Sequence, residues 1–146
     1  MSDREGLVVW NTGCCDLHNN TGIHMCCMDA EGGEGTAGPK DLPAGSTVSW
    51  GCHTIFPWCI NSQEIRTKAF RFYETPLPSS LAARRNLFAR PPAFYLFQAY
   101  RDDQVYLLVP NGTEVRWSDR RWCGEGPSSY VNVFISEGRQ VHVSAR

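Results

Sequence analysis

Apolar and polar residues alternate along much of this chain with a period of two, the spacing of a strand with one buried face. Gly6 to Trp10 is β-branched and aromatic and reads as a first strand, turned by Asn11-Thr12-Gly13. Residues 22–28 read as a second, with Ile23, Met25 and Cys27 on one face and His24, Cys26 and Met28 on the other. Residues 29–45 hold five glycines and two prolines and read as a long loop. From Ser46 to Cys52 the alternation returns, placing Val48, Trp50 and Cys52 together. Residues 53–62 contain Pro57 and read as irregular. Gln63 to Tyr73 reads as a longer strand, Phe70 and Phe72 on one face and Ile65, Thr67 and Ala69 on the other, broken by Pro76 and Pro78.

One stretch reads as a helix, Ser79 to Arg90. Ser79 or Ser80 can cap it, Leu81, Leu87 and Phe88 share a side, and Pro91-Pro92 ends it. Ala93 to Tyr100 is apolar on both faces, which suits a central strand. A turn at 101–103 leads to a strand over 104–109. Asn111-Gly112 predicts a type I′ hairpin turn answered by Thr113 to Trp117. Residues 130–135 and 139–144 pair around Ser136-Glu137-Gly138. Eight or nine short strands at regular spacing predict an all-β fold, an antiparallel β-sandwich or barrel with one short helix. At 146 residues the chain is expected to form a single domain, 1–146.

Charge changes this picture little. The net charge of −1 exerts no global pull on nucleic acid, and the chain lacks a broad basic face. No nucleic-acid partner is expected. No apolar run reaches the ~18 residues of a membrane span. The arginines at 84, 85 and 90 leave peripheral membrane contact open, and homo-oligomerisation is open too. The first residues lack the basic start and apolar core of a signal peptide, so the expected compartment is the cytoplasm, with secretion as the alternative. Two sequons, Asn19-Asn20-Thr21 and Asn111-Gly112-Thr113, favour secretion.

Six of the seven cysteines and three of the four histidines lie between Cys14 and Cys59. Such density points to covalent bridges or a metal. The C-x-x-C and H-x-x-x-H spacings of structural zinc sites are absent, and adjacent cysteines on a strand face opposite ways. An irregular set such as Cys15, His24, Cys52 and His53 is the one alternative. Packed thiols with one or two disulfides are expected instead, with no metal and no cofactor. Asp16, His18, His24 and His53 could line a pocket of a small enzyme. None of the common nucleophile, zinc-protease or phosphate-loop motifs is present. A third role, as a cysteine-stapled structural or assembly protein, also fits these residues.

The run Arg116-Trp117-Ser118-Asp119-Arg120-Arg121-Trp122 carries the leading expectation. Indole offers a flat apolar face and guanidinium a planar charge, a pairing suited to a sugar ring or an anionic head group. Trp50, His53 and Trp58 form a second aromatic group. In size and strand count the chain resembles small β-sandwich lectins and aegerolysin-type membrane-binding proteins in outline, and no functional residue carries across. The expected function is a module binding carbohydrate or another polar small-molecule ligand. Its contacts are expected from Trp50, His53, Trp58, Arg116, Trp117, Asp119, Arg120, Arg121 and Trp122.

Overall fold

The computed structural model describes residues 11–31, 38–126 and 130–146. The strand expected at 6–10 lies outside the described residues. Elsewhere the alternation resolves into more strands than expected. They are β1 (Gly13–Asn20), β2 (Met25–Asp29), β3 (Lys40–Leu42), β4 (Thr47–Ile55), β5 (Trp58–Cys59), β6 (Phe70–Tyr73), β7 (Phe94–Ala99), β8 (Val105–Leu108), β9 (Arg121–Gly124), β10 (Tyr130–Ser136) and β11 (Gln140–Ala145). Two helices accompany them, α1 (Ser62–Lys68) and α2 (Leu81–Phe88).

Ten strands form one sheet in the order β3-β2-β6-β7-β8-β9-β11-β10-β1-β4, and β5 pairs with β7. The two end strands, β3 and β4, are consecutive in the chain and lie against each other across the turn at 43–46. The sheet is therefore nearly closed and barrel-like. It is not wholly antiparallel: β1 runs parallel to β10, β9 to β11 and β5 to β7. Closure causes the first of these, because it seats an early strand beside the C-terminal hairpin.

The interior is filled by aromatic side chains. Trp50 packs on Phe70 with ring centroids 4.7 Å apart, Phe56 on Phe70 at 5.0 Å, and Phe72 stacks on Phe94 at 4.8 Å. The central strand expected at 93–100 is β7, buried at every position. Phe94 and Leu96 join the interior, while Tyr95 and Phe97 face a second apolar cluster outside the sheet.

That outer cluster explains α1, which replaces the first half of the strand expected over 63–73. Ile65 and Ala69 are four residues apart and both buried against the outer face, as helical spacing requires. Asn61 Oδ1 accepts from the Glu64 N–H at 2.9 Å, and Lys68 pairs with Glu64 at 3.3 Å. Helix α2 matches expectation: Ser80 Oγ accepts from the Ala83 N–H at 3.1 Å, and no residue of the helix is buried. No helix among the described residues is long and apolar enough to cross a membrane.

Several turns differ from the sequence reading. Gly13 continues into β1 rather than turning. The loop expected at 29–45 contains β3. Strand β4 runs on to Ile55, beyond the expected end at 52. The 110–117 hairpin is centred one residue later than expected. Asn111 and Glu114 exchange both backbone hydrogen bonds, and Gly112, at φ +64°, is the only left-handed residue between them. This pattern fits a type II′ turn with its obligatory first glycine, not type I′. After Glu114 the chain enters a short 3₁₀ turn, Trp117–Asp119, instead of a strand.

The first sequon is structural. Asn19 is fully buried, and its amide nitrogen donates to the carbonyls of Ile23 and Leu42, both at 2.8 Å. Thr21 Oγ1 donates to Asn19 Oδ1 at 2.6 Å. The nitrogen that a glycan would need already holds the β1–β2 turn to β3. Expressed through a glycosylating secretory pathway, the chain should carry no glycan at Asn19, and peptide mass mapping checks this.

Cys15 and Cys52 form a disulfide where β4 bulges away from β1. This removes two thiols from the irregular metal set. Cys14, Cys26, Cys27, Cys59 and Cys123 are free and buried. Burial pushes the Cys26 and Cys123 thiols from an ordinary 9.0 up to about 12. A thiol so shifted ionises first in the unfolded chain. Its contribution to stability is present below pH 9.0 and is lost as pH rises toward 12. Urea midpoints should therefore hold steady to about pH 9 and fall above it. A midpoint unchanged at pH 10.5 would contradict the buried-thiol reading.

Candidate functional site

The Arg116–Trp122 run does not act as one cluster; the fold divides it. Trp117 packs against Phe97 with centroids 5.6 Å apart. The Arg120 guanidinium lies 4.4 Å from the Trp117 ring centroid and 5.1 Å from that of Tyr106, and Arg120 Nη1 donates to the Trp117 carbonyl at 2.9 Å. This stack covers the outer apolar cluster and is a packing device. Arg116 pairs with Glu114 at 2.8 Å, and Asp119 and Arg121 are exposed. Burial, with the Asp102 carboxylate beside it, holds the Tyr106 phenol above its ordinary pKa, so the hydroxyl stays a donor to Asp102.

Trp122 behaves differently. Strand β9 pairs with β8 through Tyr106↔Trp122 and Val105↔Gly124 with an irregularity between them, and alternation along β9 turns Cys123 inward while Trp122 stays outside. The Trp122 side chain is 56% exposed. Its indole N–H donates to Gln104 Oε1 at 2.8 Å, which fixes the ring's orientation on the strand.

Beside this ring lies a cleft of about 250 Å³, lined by Gly124, Glu125, His142 and Ser144. Its origin is the parallel pairing of β9 with β11, which share a single register pair, Val143↔Gly124. The two strands touch there and diverge on either side. Glycine is required at the contact, since a Cβ on Gly124 would sit 2.3 Å from the Val143 carbonyl oxygen. Alternation along β11 buries Val143 and turns His142 and Ser144 outward. The cleft thus offers one fixed aromatic face, a carboxylate, an imidazole and a hydroxyl.

The second aromatic group is not part of this cleft. Trp50 is 1% exposed and its indole N–H donates to the Gly38 carbonyl at 3.1 Å, so this candidate contact is a core residue. Trp58 donates to Asn11 Oδ1 at 3.1 Å and meets the edge of Tyr100. Register partners share a face of a sheet. Trp58 pairs with Gln98, and Gln98 with Val105 of the interior, whereas Tyr106 shares its face with Phe97 and Trp122. Trp58 and Trp122 therefore point to opposite faces with β7 and β8 between them. His53 is exposed on β4.

Two of the residues expected to line an enzyme pocket have partners of their own. His24 Nε2 lies 2.8 Å from the Asp41 carboxylate, which also accepts from the Leu77 N–H at 2.9 Å. His18 stacks on Phe134 at 4.3 Å with Nδ1 3.0 Å from the Thr47 hydroxyl. Sequence reasoning missed Gln104, Glu125, His142 and Ser144. Outward alternation of His142 was readable, but the parallel contact that brings it beside Trp122 joins strands from separate hairpins. Comparison with protein-family models, with curated proteins and with solved structures finds no match.

Proposed function

We propose that this chain is a carbohydrate-binding module whose contact surface is the cleft beside Trp122. The observation that carries the reading is an indole left more than half exposed yet held rigid by Gln104. Exposing so large an apolar face forgoes about 1.5–3 kcal/mol of burial. Fixing its orientation makes sense where a ligand supplies the missing cover. A pyranose does so with the C–H groups of one face while its hydroxyls turn outward. Glu125 accepts from those hydroxyls, and His142 and Ser144 accept or donate.

An array of neutral and acidic glycans probed with the full chain tests the reading, with phosphatidylserine vesicles as a second arm. Retention on one glycan class supports the module. Silence across the glycans with retention by vesicles overturns it in favour of head-group binding. Silence in both arms overturns it outright.

A further inference from the structure

A second, roomier cleft lies elsewhere, at one end of the barrel. It has a volume of about 600 Å³ and is built where the end of β6, the α2–β7 connection, the 110–112 turn and the β10–β11 turn converge. That volume falls within the range of about 300–1,000 Å³ usual for small-molecule sites. We propose that it is a second binding site, taking an organic monoanion: a carboxylate carried on a flat apolar body.

Rigidity is the first argument. Pro91, Pro92 and Pro110 have φ fixed by their rings, so these walls lose little freedom on binding. The Tyr73 hydroxyl donates to the Arg90 carbonyl at 2.9 Å, and the Ala93 N–H to the Phe72 carbonyl at 2.8 Å. Across the barrel end, Arg139 Nη2 and Nε donate to Glu74 at 2.7 and 3.2 Å. Glu74 follows β6 and Arg139 precedes β11, strands separated in the sheet by β7, β8 and β9. The pair is thus a strut between two walls.

Charge is the second argument. Two guanidinium groups, Arg90 and Arg139, border the cleft against one carboxylate, Glu74, a balance of +1. Arg90 has no ion-pair partner among the described residues, and the Arg139 strut uses Nε and Nη2 but not Nη1. A carboxylate matches guanidinium in plane and in charge. A phosphate monoester, nearly dianionic, would meet repulsion from Glu74. The Pro91 and Pro110 rings supply apolar cover.

Amide chemical-shift mapping of the full chain with 2-naphthoate tests the site, with 2-naphthamide and 2-naphthyl phosphate as comparison probes. Saturable shifts are expected at Tyr73, Glu74, Arg90, Ala93, Gly112 and Arg139. Arg90→Gln, an exposed change that leaves the strut in place, should weaken naphthoate about tenfold or more, the scale of one charged hydrogen bond. Glu74→Gln should let naphthyl phosphate bind as well as naphthoate. Trp122→Ala should leave naphthoate binding unchanged, which separates this site from the carbohydrate reading. Equal binding of the uncharged amide, shifts mapping elsewhere, or no saturation at millimolar probe would overturn the proposal.

Discussion

Trp50→Ala should lower the free energy of unfolding by about 3–5 kcal/mol, the range for emptying a large aromatic site in a core. Trp50 is buried on β4, packs on Phe70 and binds the Gly38 carbonyl through its indole N–H. Truncation leaves a void in a nearly closed barrel, whose strands cannot collapse inward without breaking their pairing. It also strands the Gly38 carbonyl acceptor. Urea denaturation reads the loss as a fall in midpoint of roughly 2 M, taking a slope near 2 kcal/mol per molar. A midpoint within a few tenths of molar of the parent would mean Trp50 is not a core residue.

The same substitution at Trp122 should have the opposite profile. Trp122→Ala removes an exposed ring whose main protein contact is one hydrogen bond to Gln104, so stability should change by less than about 1 kcal/mol. Binding of the glycan class retained by the parent should fall by about 2 kcal/mol or more, roughly thirtyfold, as for a central aromatic contact. Gln104→Ala supplies a second reading. It leaves the ring in place but frees its orientation, and should cost binding a smaller share than losing the ring. Full binding by a folded Trp122→Ala chain would place the contacts elsewhere, with Glu125 and His142 no longer relevant. The sequence placed both tryptophans among expected contacts, Trp50 on an alternating strand and Trp122 in an arginine-rich run.

The division follows from what makes each feature local or not. Helix α2 was legible because Ser80 caps it and Pro91 stops it within the segment itself. Strand β7 was legible because only a strand covered on both sides keeps Phe, Tyr, Leu and Phe in one apolar run. Helix α1 carried a signal too, in Asn61 three residues before Glu64, but the alternation of Ile65, Thr67 and Ala69 masked it. The face of Trp122, the burial of Asn19 and the Cys15–Cys52 contact were not legible. Each depends on which distant strand lies alongside.

From the sequence alone came the all-β architecture, the capped short helix and the central strand. Period-two alternation and helix caps act over a few residues, and a few residues suffice to read them. Only the tertiary structure decided that the sheet nearly closes with β1 beside β10 and β9 beside β11, and that Trp50 turns inward while Trp122 turns out. Closure is a property of the whole ring of strands, and a side chain's exposure depends on what the other strands bring to cover it.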